Sequence, residues 1–402
     1  FDRDGDLDLY VCNYVNYDVD GMGSSDDLVV DRSAEGYHVP FALNPNSFDP
    51  APNRLYRNRG DGTFEEVADA FGVADTDGRS FAVTMVDLDG DGWLDLYVTN
   101  DVSSNKFYRN MLGERGAGDG EARRRQVVPF VDLSALSGTA DPRGSMGLSV
   151  AELNAMRGQA DGLPDLFITH WVTQENALYQ SLRLPGGGLE YRDKTREYRL
   201  GEISIDMVGW GAGFADFDLD GRMDLVVANG STLEESNDQS RLIAEPLFLF
   251  WNDGKQFVNL APRAGEAFQK HYGARGLALA DFDGDGDVDI AVACNRGPVL
   301  LLRNDLPQSN ASLRVRLEGP AAACFGAQVN VSLGGRVLTQ WYGADVSFLS
   351  GHAPELVFGM GKHEEAQSVS VRWADGTTTA LHGVKPGVVH LTPERVGDLA
   401  EH

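Results

Sequence analysis

The chain has 402 residues and a formal net charge of −27, with 61 Asp and Glu against 34 Lys and Arg. That length leaves room for two or three ordinary domains, or for one large repeat domain with a small companion. The acidity argues against nucleic acid, whose binders carry basic patches, and no run of 18 apolar residues is present to form a membrane-spanning helix. Cys12, Cys294 and Cys324 are an odd number and widely spaced, so they read as buried thiols, not as a disulfide framework or a zinc site.

The chain opens on an acidic turn, Phe1-Asp2-Arg3-Asp4-Gly5-Asp6-Leu7-Asp8, followed by apolar Leu9-Tyr10-Val11. Its first carboxylate would precede residue 1, so the chain is expected to start inside a repeat of a longer protein. A long connection over residues 14–52 follows, carrying Tyr14, Tyr17, Tyr37, Phe41 and Phe48. Long loops on a rigid scaffold commonly carry binding, and this one is a candidate recognition surface. Asn53-Arg54-Leu55-Tyr56-Arg57-Asn58 comes next, and versions of it return at Asn105–Asn110, Asn176–Ser181, Leu247–Asn252 and Val299–Asn304.

The acidic turn returns complete as Asp87-Leu88-Asp89-Gly90-Asp91-Gly92-Trp93-Leu94-Asp95, as Asp216 to Asp224, and as Asp281 to Asp289. The pattern is Asp-x-Asp-x-Asp-Gly-x-x-Asp before an apolar strand. Calcium takes about six to eight oxygen ligands, and Gly at the sixth position permits the sharp turn that brings carboxylates together. Candidate ligands are therefore Asp87, Asp89, Asp91 and Asp95; Asp216, Asp218, Asp220 and Asp224; Asp281, Asp283, Asp285 and Asp289. The seventh-position backbone carbonyls of Trp93, Arg222 and Asp287 add one oxygen each. Asp2, Asp4 and Asp8 hold the same places in the opening turn. A degenerate copy, with five extra residues between its halves, offers Asn154, Asp161 and Asp165. Four to five Ca2+ ions would bring the net charge to about −19 to −17.

The last acidic positions, Asp8, Asp95, Asp165, Asp224 and Asp289, lie 87, 70, 59 and 65 residues apart. Each unit reads as several short strands separated by Gly, Asp and Asn turns. The strand before each loop is rich in small residues, as in Gly211-Ala212-Gly213, which suits a crowded axis. The strand after it is nearly all apolar, which suits burial on both faces. Stacked radially, about five such units make an all-β calcium-loop β-propeller over residues 1–305. From about Asn310 the composition changes to alternating strands with an Asp375-Gly376 hairpin turn, which predicts a small β-sandwich over 310–395.

The acidic loops resemble FG-GAP (VCBS-type) repeats. Gly326-Ala327-Gln328-Val329, Ser350-Gly351-His352, Leu356 to Gly361 and Val371-Arg372-Trp373-Ala374-Asp375-Gly376 are similar to the ASPIC and UnbV domain. Repeats plus this tail resemble the cartilage acidic protein family. Two departures stand out: Ala321 to Phe325 replaces the Asn-Arg pair usual before Gly-Ala, and Asn229-Gly230-Ser231 stands where Asn-Gly-His is frequent. The resemblance implies a calcium-binding, extracellular, cell-surface or periplasmic module for adhesion or for binding a protein or carbohydrate ligand. The alternative is a catalytic or accessory protein of a biosynthetic pathway, using the central face of the propeller. No Gly-x-Ser-x-Gly, His-Glu-x-x-His, phosphate-loop or dinucleotide motif is present, which weighs against an enzyme. His170, at the end of the strand after Asp165, is expected to cap a turn.

Overall fold

The computed structural model describes residues 1–17, 45–115, 128–154, 160–235, 238–307 and 309–393. Five antiparallel sheets follow one another in chain order, each built like a blade. The first holds Leu9–Val11, Arg54–Asn58 and Phe64–Glu66. The second holds Ser80–Val86, Asp95–Asn100, Lys106–Asn110 and Phe130–Asp132. The third holds Ser145–Ala151, Asp165–His170, Ala177–Arg183 and Leu189–Asp193. The fourth holds Gly209–Ala215, Asp224–Asn229, Phe248–Asn252 and Phe257–Asn259, and the fifth Ala274–Ala280, Asp289–Cys294 and Val299–Leu302.

The strands at 80–86, 145–151, 209–215 and 274–280 lie side by side as the innermost members of four blades. Each breaks register with its partner at the same place, between Ser80 and Ala82, Ser145 and Leu148, Gly209 and Ala212, and Ala274 and Leu277. Such bulges bend a strand and sharpen its twist. Small residues are needed here because the backbones nearly touch. A Cβ on Gly147 would stand 2.0 Å from the Trp210 carbonyl oxygen, and one on Gly211 would stand 2.7 Å from Leu277 Cβ. The second strands, 95–100, 165–170 and 224–229, are buried along their whole length. Leu96, Leu166, Leu225 and their neighbours fill the spaces between blades, each worth about 1.5–3 kcal/mol of burial. The two end blades keep an open apolar face, with Leu9, Val299 and Leu301 exposed.

The tail packs a three-stranded sheet against a four-stranded one. Ala311–Leu317 lies between Leu356–Gly361 and Gly387–Leu391, while Gln328–Leu333 and Ala366–Arg372 form the centre of the second sheet. Alternate residues Val329, Val331, Val369 and Val371 meet Leu313, Val315, Phe358 and Met360 in one core around Trp373. The Asp375-Gly376 turn joins two antiparallel strands, with Gly376 at φ +88. The cysteines are free, but only Cys324 is fully buried; Cys12 and Cys294 are half-buried. Burial pushes the Cys12 thiol up to about 12.

Candidate functional site

Each acidic loop joins an innermost strand to the buried second strand, and its last carboxylate acts as a clamp. One oxygen of Asp95 accepts the Leu88 amide and the other the Asn110 amide, at 2.9 and 2.7 Å. Asp224 takes Phe217 and Asn252, Asp289 takes Phe282 and Asn304, and Asp165 takes Leu153 and Ser181. Asp8 takes the Phe1 amino group and the Asn58 amide. The second partner lies at or near the end of the next strand and ends it at Asn58, Asn110 and Asn252, which explains why the Asn-ended motif marches with the loop. The contact is often reciprocal: Asn58, Asn110 and Asn252 return a side-chain hydrogen bond to Leu7, Leu94 and Met223 carbonyls.

The first carboxylate folds over the turn, and Gly92, Gly221 and Gly286 amides donate to Asp87, Asp216 and Asp281. These turns use left-handed glycines, Gly92 at φ +95 and Gly286 at φ +100, where a side chain is strained. The result is convergence. Oxygens of Asp87, Asp89 and Asp95, of Asp216, Asp218 and Asp224, and of Asp281, Asp283 and Asp285 each fall within 4.8 Å of one another. A carboxylate oxygen holding one amide keeps a second lone pair, so clamping and coordination are compatible. This all-oxygen donor set fits a hard divalent cation. Burial raises the carboxyls of Asp87, Asp95, Asp216 and Asp224 above the ordinary range, and neighbouring aspartates add to it. A cation between them would offset that penalty.

The other positions fall out unevenly. Asp91 and Asp220 pair with Arg109 and Arg222, while Asp2 and Asp4 face Arg57. Trp93 lies under the Arg3 guanidinium, 4.1 Å from its ring centre. The Asp287 side chain is buried, and its amide donates to Asp285. In the degenerate loop Asn154 turns to Ser181, at 3.2 Å from its carbonyl. Glu152 takes the first position instead, accepting the Gly162 amide at 2.8 Å as Asp87 accepts Gly92. Glu152 was not among the ligands expected from sequence; the glycine of the pattern, Gly162, was the signal that could have found it. Burial, then Asp165 and Asp161, push its carboxyl up.

The tail domain sits on these loops. Arg372 reaches Asp87 at 2.5 Å, and Arg314 reaches Asp281 at 2.8 Å. Gln328 donates to the Gly162 carbonyl, and the Gly361 amide to the Leu219 carbonyl. A loop between two tail strands, residues 342–355, then runs along the innermost strands. Thr84 donates to the Ala344 carbonyl, and Leu148 and Ser347 exchange backbone hydrogen bonds. Asp345 accepts Ser149 Oγ and the Val150 amide on one oxygen and the Phe214 amide on the other. The Leu277 amide donates to Ser350 Oγ and the Leu279 amide to His352 Nδ1. Four blades thus share one axial strap, and Phe348 anchors it against Trp210, Phe81 and Met146.

One expected feature changes. His170 does not cap a turn with its ring: it is fully buried, with Nε2 3.1 Å from Asp141, which Arg143 also holds. Most of the 14–52 connection, 18–44, lies outside the described residues, as do Tyr37 and Phe41. Of its other aromatics, Tyr14 stacks on Phe81 and donates to Asp101, and Tyr17 packs on Phe48.

Blades with acidic loops followed by this two-sheet tail define a recognisable class. An FG-GAP-like repeat model matches residues 1–98 and 231–292, and the ASPIC and UnbV model matches residues 318–395. The chain carries both domains, and it is homologous to cartilage acidic protein 1. It is 25% identical to the human protein over 361 residues, covering 89% of this chain and 41% of that one. It is 26% identical to the mouse protein over 251 residues, covering 60% and 33%. The chain therefore spans less than half the length of these relatives. Among solved structures it is similar to the V. cholerae biofilm matrix protein Bap1, at 14% identity and TM-score 0.25, covering 77% of this chain and 60% of that one. A Bacillus licheniformis rhamnogalacturonan lyase PL11 gives 14% identity and TM-score 0.29, covering 97% and 74%. Superpositions that loose carry no functional argument. No helix among the described residues is long and apolar enough to cross a membrane.

Proposed function

We propose that the chain is a calcium-stabilised binding or adhesion module that works outside the cell or at its surface, its blades forming an arc of a β-propeller. The observation that carries this reading is the convergence of three carboxylates within 4.8 Å in each of three loops. Homology to a protein named for its acidity and for cartilage supports the extracellular setting. With a dissociation constant of about 10⁻⁴ M and tenfold more calcium, each site contributes on the order of 1.4 kcal/mol. Calcium should therefore raise the melting temperature by several degrees, and excess chelator should remove the gain. An identical melt with chelator and with calcium would defeat the proposal.

A catalytic reading finds some support in a cavity beside the axis lined by Tyr342 and His352. Binding is favoured over catalysis because of how the axial groups are used. His352 Nδ1 accepts the Leu279 amide, which places the ring proton on Nε2, facing Asp345 at 3.4 Å. Asp345 already holds three donors. Neither group is left free to serve as a general base.

A further inference from the structure

The cavity beside the axial strap has a volume of about 340 Å3 and lies between blades four and five on one side and the tail on the other. That size falls in the range of about 300–1,000 Å3 usual for small-molecule sites. Half-buried Phe325 and Tyr342 give it aromatic surface, and Gly343, at φ +74, leaves room for the Phe325 ring. Three buried polar atoms of lining residues make no hydrogen bond: Trp341 Nε1, His352 Nε2 and Glu355 Oε1, the last two having only long charge contacts, to Asp345 at 3.4 Å and to Arg314 at 3.7 Å. Two are N–H donors and one is a carboxylate acceptor. Buried polar groups are normally satisfied, so such a set calls for a partner.

Charge narrows the class of partner. Asp281, Asp345 and Glu355 line the cavity, which disfavours an anion. A cation gains little, because Asp281 is paired with Arg314, Glu355 with Arg316, and Asp345 with backbone and hydroxyl donors. A neutral molecule rich in hydroxyls meets both demands. A hydroxyl accepts from Trp341 or His352 and donates to Glu355, while the C–H face of a sugar ring packs on Tyr342 and Phe325. We propose that this cavity binds a neutral saccharide unit of one or two rings. The proposal rests on the binding reading above and names the ligand class for it.

The test uses the whole chain loaded with calcium. Neutral hexoses, pentoses, deoxyhexoses and their disaccharides are presented at millimolar concentration, and saturation transfer from protein to sugar is read by NMR. At least one should respond. Tyr342→Ala should weaken its binding about tenfold, and Trp341→Phe, which keeps a ring but removes the N–H, should weaken it too. Melting curves establish that both variants fold. No response from any neutral sugar, a response to methylammonium or acetate instead, or binding unchanged in both variants would overturn the proposal. Calcium-dependent melting is measured on the same samples, so failure of the sugar site and failure of the calcium reading are separable.

Discussion

Each blade adds a buried carboxylate clamp to the hydrocarbon packed between blades, whereas the tail core is held by buried hydrocarbon alone. In each blade one aspartate grips two backbone N–H groups, one from its own acidic loop and one from near the end of the next strand, at Asp95, Asp165, Asp224 and Asp289, while Asp8 takes the Phe1 amino group and the Asn58 amide. Among the described residues the tail has no such clamp in its core, which is Leu, Val, Phe, Met, Ala, one Cys and one Trp. A small unit repeated radially has little interior of its own, so it borrows order from polar contacts that are specific in direction and depend on charge. A two-sheet sandwich encloses its own apolar volume and needs no ion.

The largest test of this contrast lies in the tail. Trp373 is 1% exposed and donates to Thr379. Trp373→Ala should cost about 3–5 kcal/mol, as large core truncations do. Denaturation with and without calcium should show that loss to be independent of the ion. Equal losses restored by calcium would break the contrast.

Next comes the clamp. Asp95→Ala leaves the Leu88 and Asn110 amides without their acceptor, at about 1–3 kcal/mol for each buried group. Amide exchange should quicken at 95–100 and 106–110 while 366–372 stays protected. Loss of protection in the tail strands first would mean that the two regions are not separable.

The smallest effect concerns pH and a carboxyl away from the loops. Glu245 accepts the Val208 amide, and burial pushes it up from 4.5 to about 7. Its folded value exceeds the unfolded one, so its stabilising share is complete below about pH 4.5 and is lost as pH rises through about 7. Glu245→Gln mimics the protonated form. It should stabilise the protein by on the order of 1–2 kcal/mol at pH 8 and by little at pH 4.5. Equal effects at both pH values would remove burial as the cause.

Repetition made the blades legible. Asp-x-Asp-x-Asp-Gly-x-x-Asp is a local pattern whose geometry is set within nine residues, and alternation of Val and polar residues in 328–333 and 366–372 marked the tail strands. Glu152 heads the degenerate loop but was not among the expected ligands, because the complete copies have Asp at that position and its loop carries five extra residues. The axial strap was not legible. Ser347, Asp345, Ser350 and His352 meet strands between 73 and about 200 residues away, through side chains with no periodicity to betray them. Arg314 and Arg372 alternate with apolar residues on sandwich strands, and only tertiary docking brings them to Asp281 and Asp87.

The strap also imposes an order of events on synthesis. The five blades end at Leu302, and the residues that fill their axis begin forty positions later. Thr84 waits 260 residues for Ala344. A chain emerging from the ribosome N-terminus first therefore exposes the inner edges of 145–151, 209–215 and 274–280 until residues 342–355 have been made. Their free amides at Leu148, Val150, Phe214, Leu277 and Leu279 are open to any passing strand during that interval.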